Sequence, residues 1–364
     1  MLIVAFGTRP ELLKIEPLLE YWQQIGFSDW KVWLTFQHEE LCKQLQNDWK
    51  FKEHVVGFEK KSHYLTNVNK MDHATWTDNR LDFVVSSQML IADDHVELND
   101  YKAILVQGDT ASAFACALAA FHRKIPVIHL EAGLRSWNQE SPYPEEAYRR
   151  MISMISSINL CPTWKNEKTL TDEKVPGKSF VVGNTILDSL KNKNIIPGFS
   201  NKILVTLHRR EKIDEIEQWF KVIEQLAEQN QHLEFILPIH KNPAVYRFKD
   251  SFRYVRCTEP LEHDEFINIL KDVQAVITDS GGVAEESSYL GKRIFLCRES
   301  TERQEAWQFY TWCYTPEDLL QNFNNFVKYN FTKNLEAKCP FGDGNSCKYI
   351  TNILINEGVI SLNK

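Results

Sequence analysis

None of the eight cysteines (Cys42, Cys116, Cys161, Cys257, Cys297, Cys313, Cys339, Cys347) stands in a Cys-x-x-Cys pair. That argues against a zinc site and against a disulfide framework, and leaves most of them as small buried hydrophobes. No apolar run approaches the roughly 20 residues that a membrane helix needs. The opening MLIVAFG is too short for a signal segment, lacks a basic flank and runs straight into a helical pattern, so it reads as a first strand in a cytosolic (cytoplasmic) protein. No basic run is present and the formal net charge is −7, which denies nucleic acid a broad footprint; an anionic ligand must be held by local arginines and helix ends. There is no Ser/His/Asp order, no His-Glu-x-x-His and no Gly-x4-Gly-Lys-Ser/Thr, which counts against hydrolases, zincins and P-loop enzymes. Internal repeats and low-complexity tracts are also absent.

What is present is a globular composition, 43% hydrophobic and 25% charged, on 364 residues, too many for one ordinary core. Strand-like runs at 2–6, 31–35, 103–107 and 126–129, then at 180–182, 203–206, 235–238, 275–278 and 293–297, alternate with helical patterns. Such alternation predicts parallel sheets covered by helices, and it occurs twice. The fold class expected is α/β, two Rossmann-like doubly wound domains facing a central cleft. The polar stretch 169–178, with its Pro-Gly, and a second soft stretch at 192–202 divide the chain into an N-terminal domain, 1–168, and a C-terminal domain, 179–345. Ligands of such sheets bind at the carboxyl ends of the strands, so those ends hold the candidate residues.

The richest end is Asp279-Ser280-Gly281-Gly282, between an apolar strand and a helix that Gly291 terminates. Uncommitted N–H groups and the positive end of the dipole attract an anion there, and glycines let phosphate oxygens approach the backbone. The first strand delivers Gly7-Thr8-Arg9-Pro10-Glu11; proline suits the first helical position and makes Arg9 the expected N-cap, with Lys14 a turn further on. Arg9 can grip a phosphate bidentately and Lys14 add a point charge; the alternative, a solvated basic pair, is one that the helix dipole would not favour. Asp109, in Gln107-Gly108-Asp109-Thr110, is either an ordinary N-cap or a catalytic carboxylate. Glu131 and Arg135 follow another strand. Glu145 and Arg149 open a helix with Glu146 and Arg150, for which a solvated face accounts equally well. Carboxylates gathered where substrates bind suit acid and base work. His208, past a strand and flanked by arginines, is a candidate proton carrier or phosphate ligand, and His240 ends a second strand of this type.

Taken in order and spacing, GTRPE-x2-K, QGDT, HLEAGLRS, PEE-x2-RR, HRRE, TDSGG-x2-EE, ESTER and the late PFGDGN resemble the non-hydrolysing UDP-N-acetylglucosamine 2-epimerase family over nearly the whole chain. The resemblance implies the glycosyltransferase B arrangement, a C-terminal helix at about 346–364 returning to the first domain, and a homodimer. It also implies interconversion of UDP-N-acetylglucosamine and UDP-N-acetylmannosamine with no nicotinamide cofactor and no metal. The family route eliminates UDP with loss of the C2 proton, giving a glycal, then returns UDP and a proton with the opposite configuration. On this resemblance Asp109, Glu131 and Glu145 are the acid/base candidates and His208 assists departure of the diphosphate. Arg9, Lys14, Arg135 and Arg149 surround sugar and phosphates, Ser280, Gly281 and Gly282 take the diphosphate, Glu286 the ribose, Phe266 the uracil, and Arg303 lies near the sugar.

The chain departs from the pattern at several points. Glu39-Glu40 and 67–71 replace the segments that hold a second, activating UDP-sugar in bacterial members, and Ala284, Gln304 and Trp307 border the expected sugar pocket. These changes leave room for a modified UDP-N-acetylhexosamine. A glycosyltransferase of the same architecture, a hydrolysing epimerase and a non-catalytic UDP-sugar sensor are the competing readings. Pro10-Glu11 sides against the hydrolysing branch, and the full set of acid/base positions sides against the sensor.

Overall fold

The structure, a computed structural model, describes residues 1–56, 101–208, 215–299, 301–329 and 335–362. The departures at 67–71, Arg209-Arg210-Glu211 of the HRRE motif, and Ser300 of ESTER lie outside those residues. The chain forms two compact units, one made of residues 1–189 and 344–364, the other of 190–343.

The first unit is a parallel sheet of β1 (Leu2–Phe6), β2 (Trp30–Leu34), β3 (Val55–Val56), β4 (Ala103–Gln107), β5 (Val127–Leu130), β6 (Ile158–Cys161) and β7 (Lys178–Val181), in the order β3-β2-β1-β4-β5-β6-β7. Successive side chains on a strand point to opposite faces, so a strand covered on both faces must be apolar throughout. β1 illustrates this: Leu2, Val4 and Phe6 enter a core with Leu18, Leu19 and Trp22 of the Arg9–Gln24 helix, while Ile3 and Ala5 meet Ala113 and Ala117 of the Ala111–His122 helix. Lys178–Val181, placed by the sequence reading at the opening of the second domain, is instead the edge strand of this first sheet, paired in register with β6. The expected boundary therefore moves to 189/190, because β7 completes the sheet begun by β6.

The Ser346–Asn356 helix belongs to the first unit. Ile350 and Leu354 are buried in its core, and Trp22 Nε1 donates to Thr351 Oγ1 at 3.0 Å. Its N-terminus is held by a carboxylate remote in sequence: Asp188 accepts from Ser346 N at 3.0 Å and Cys347 N at 2.8 Å. Burial pushes the Asp188 carboxyl above its ordinary range, and those two N–H groups pull it back.

The second unit repeats the design with β8 (Lys202–Thr206), β9 (Glu234–Pro238), β10 (Arg256–Thr258), β11 (Ala275–Thr278), β12 (Arg293–Leu296) and β13 (Tyr310–Trp312), in the parallel order β10-β9-β8-β11-β12-β13. Its own core joins Val205, Phe235, Ile277, Phe295 and Phe323. In both sheets the strand order reverses beside the first strand, between β1 and β4 and between β8 and β11. In open α/β sheets ligands bind beside such switch points, at the carboxyl ends of the strands.

Candidate active site

At the switch point of the first unit, the chain leaves β1 through Gly7 and enters the Arg9–Gln24 helix. Thr8, not Arg9, is the N-cap: its backbone is extended and it forms a reciprocal capping box with Glu11. The sequence carries that signal as Thr8-x-x-Glu11; proline directed the reading to Arg9, which is the first helical residue and exposed. Glu11 is fully buried. One oxygen accepts from Gly7 N at 3.0 Å, Thr8 N at 2.8 Å and Thr8 Oγ1 at 2.7 Å; the other accepts from Thr110 Oγ1 at 2.6 Å. Burial raises its carboxyl above the usual range against these hydrogen bonds. Glu11 thus ties the loop after β1 to the loop after β4.

Thr110 is itself the N-cap of the Ala111–His122 helix, accepting from Ala113 N at 3.0 Å. Asp109 is therefore not a cap, and its carboxylate is available for other work. It pairs with Arg149, whose Nε lies 2.9 Å from Asp109 Oδ2 and whose Nη2 also reaches that oxygen. Arg149 Nη1 donates to Glu146 at 3.0 Å. Glu146, for which the sequence left a solvated face and a functional place equally open, is fully buried and also accepts from Ser136 N at 2.9 Å and Trp137 N at 3.3 Å. Glu145, the first residue of the same Glu145–Ile155 helix, is half-buried.

Glu131 follows β5 directly and has φ +67, a left-handed conformation that costs a residue with a Cβ and recurs where a site demands one orientation. One carboxylate oxygen pairs with Lys14 Nζ at 2.5 Å, and the other accepts from Gln107 Nε2. Lys14, expected at the sugar and phosphates, and Glu131, expected as an acid/base group, thus pair with each other, while Gln107 was missed because nothing local reveals a cross-strand amide. Arg135 is committed elsewhere: Nε and Nη2 grip Glu173 at 3.0 and 2.6 Å, and Nη1 caps Leu134 O at 2.7 Å. Beneath Asp109, buried His129 bonds Gly108 O through Nε2 at 2.8 Å, and burial drives its pKa down to about 4.

In the second unit, His208 lies just past β8. Its backbone N–H donates to Asp279 Oδ2 at 2.8 Å, its Nδ1 stands 3.6 Å from Asp279 Oδ1, and its ring stacks on His240 with centroids 4.8 Å apart. His240 Nδ1 accepts from Asn242 N at 3.1 Å, so that nitrogen carries no proton, and burial lowers the pKa of the ring. Ser280 caps the Gly281–Tyr289 helix without a side-chain bond to its first N–H groups. The two glycines differ. A Cβ built on Gly281 would lie 2.5 Å from Arg303 Nη1, whereas one on Gly282 would meet nothing within 4 Å. Arg303 is buried under that turn, bonded to Glu285 and Glu302, and Glu302 in turn pairs with Arg298 at 3.0 Å. Glu286 is held by His263, which the sequence reading did not single out, at 2.7 Å. Half-buried Phe266 follows His263 by one turn on the His263–Leu270 helix.

Parallel doubly wound sheets, with carboxylates held by cations beside one switch point and a glycine helix start beside another, make this an α/β protein of the enzyme type. The chain belongs to the UDP-N-acetylglucosamine 2-epimerase family, whose model matches residues 27–355. The UDP-N-acetylglucosamine 2-epimerase of Neisseria meningitidis serogroup A is 32% identical to it, over 98% of this chain and 99% of that protein. Among solved structures, the Neisseria meningitidis UDP-GlcNAc 2-epimerase bound to UDP-GlcNAc superposes with a TM-score of 0.80 at 29% identity, covering 98% of this chain and 99% of the other. The Methanocaldococcus jannaschii UDP-GlcNAc 2-epimerase in complex with UDP-GlcNAc and UDP gives a TM-score of 0.78 at 26% identity with the same coverage.

Proposed function

We propose that this protein interconverts UDP-N-acetylglucosamine and UDP-N-acetylmannosamine by losing and regaining UDP. The sugar C2–H has no adjacent carbonyl to acidify it, so a base removes that proton as the C1–O bond to UDP breaks, leaving a C1=C2 glycal and free UDP. The diphosphate oxygen then re-adds at C1 while a proton arrives at C2 from the opposite face. The route needs two groups for protons and a strong anion site for the leaving group. Asp109 and Glu131, at the ends of adjacent strands, are the proton carriers on this reading, with Glu145 as a third candidate.

Arg149 and Lys14 fix the two carboxylates and lend positive charge near the sugar. Ser280, Gly281 and Gly282 hold the diphosphate, and His208, oriented by Asp279, serves its departure. Glu286 and Phe266 hold the nucleoside. The observation that carries the reading is the Asp109–Arg149 and Lys14–Glu131–Gln107 cluster at the carboxyl ends of β4 and β5. Two separately anchored carboxylates beside one switch point are what proton removal and return require, and nucleotide binding alone does not require them. We infer also a homodimer working in the cytoplasm, as the family resemblance implies.

The test is proton NMR of UDP-N-acetylglucosamine with the protein in D2O. Deuterium at C2 together with a growing UDP-N-acetylmannosamine signal is the expected result. An untouched substrate that is turned over only when a sugar acceptor is supplied would replace the epimerase by a transferase.

A further inference from the structure

The Glu286 carboxylate sits on the Gly281–Tyr289 helix and is 5% exposed. A carboxylate that deeply buried needs a fixed partner. The partner is His263, the first residue of a different helix, with Nε2 2.7 Å from Glu286 Oε1. An ionised carboxylate only accepts hydrogen bonds, so Nε2 carries the hydrogen and the imidazole donates. Among the described residues Glu286 Oε2 has no hydrogen-bond partner. One oxygen is therefore pinned and the other remains as an unused acceptor. Three residues along from His263 comes Phe266, and residues at that spacing share a helix face, so one face supplies both the pin and a half-buried aromatic ring.

We propose that His263 is a positioning residue that holds Glu286 by one oxygen so that the other meets the vicinal hydroxyls of a ribose, making the second unit selective for ribonucleotides. The proposal rests on Glu286 being the ribose ligand. A hydroxyl donates to Oε2 in the complex; a nucleotide without ribose hydroxyls leaves that buried oxygen unpaired, and such a site rejects the ligand lacking the group. Without His263 the three side-chain torsions of Glu286 must be ordered by the ligand itself, which weakens binding at the ribose and nowhere else.

Calorimetric titration of the full chain with UDP and with 2′,3′-dideoxy-UDP tests this in the wild type, His263→Gln, His263→Phe and Glu286→Gln. His263→Gln retains an N–H donor; His263→Phe removes it. The expected result is that His263→Phe weakens UDP roughly tenfold, that His263→Gln recovers most of the loss, and that dideoxy-UDP binding is unaffected by either. Turnover should show a raised KM with kcat kept, the pattern of lost uniform binding. Equal weakening of UDP and dideoxy-UDP in both His263 variants would make His263 a fastener between two helices and overturn the proposal. UDP binding unchanged in Glu286→Gln would instead remove Glu286 from the ribose, and the proposal with it. Selectivity lost in Glu286→Gln but kept in His263→Phe would leave the ribose reading standing and refute only the role of His263.

Discussion

Asp109 and Glu131 differ in what anchors them, a guanidinium for one and an ammonium with an amide for the other. Replacing either by its amide keeps the shape and removes the proton carrier. Asp109→Asn and Glu131→Gln are each expected to lower kcat by at least about 100-fold, read as loss of deuterium uptake at C2. His129 gives a separate, pH-dependent prediction. Its pKa is about 4 in the folded protein against an ordinary 6.5, so between those values the unfolded chain binds a proton that the folded one does not. Stability is therefore complete above about pH 6.5 and falls toward pH 4, by about 3 kcal/mol. Denaturant unfolding at pH 7.5 and 5 should show that slope, and His129→Gln should flatten it; an equal slope in the variant would assign the effect to other groups. At this scale the sequence revealed the residues that end strands, because an apolar run followed by Gly, Asp or Pro is a local pattern. It did not reveal Gln107, Glu146 or His263, whose roles depend on what lies opposite them across a sheet or between helices.

Among the elements, the Gly281–Tyr289 helix makes the sharpest distinction. At Gly281 a side chain would meet Arg303, whereas at Gly282 it would meet nothing within 4 Å, the open space that the proposed diphosphate would use. Gly281→Ala should destabilise by about 1–3 kcal/mol through that clash. Gly282→Ala should fold with unchanged or slightly higher stability, since alanine favours a helix over glycine by up to about 1 kcal/mol, yet raise KM for the UDP-sugar about tenfold by standing in the path of the phosphates. Thermal melts and steady-state kinetics on the pair separate the two effects, and a Gly282→Ala enzyme with normal KM would remove the diphosphate from this turn. Long covered strands such as β1 and β4 were legible as apolar runs. β3, β10 and β13 have two or three residues each, too few for any period. β6 was hidden by Asn159, a fully buried amide in the middle of its four residues.

At the scale of the molecule, two doubly wound units were readable from the repeated alternation of strand and helix, whereas the boundary was not, because the Pro-Gly that suggested it is only the turn into β7. The return of 344–364 to the first unit supports a further prediction. Ile350, Leu354 and Ile360 are buried in its core, and at about 2 kcal/mol each their removal costs roughly 6 kcal/mol, comparable to the 5–15 kcal/mol by which a folded protein exceeds its unfolded state. Deleting 346–364 should abolish amide-exchange protection in β1 and β4 and spare β8 and β11, which rest on their own core; protection retained in β1 would show the helix to be dispensable.

That same helix sets an order of events during synthesis. Domains ordinarily complete themselves from the N-terminus as the chain emerges. Here every strand of the second sheet is synthesised while Trp22 still awaits Thr351 and Asp188 still awaits the backbone it caps. The unit translated first is thus the last whose core is complete, because Ile350, Leu354 and Ile360 belong to it.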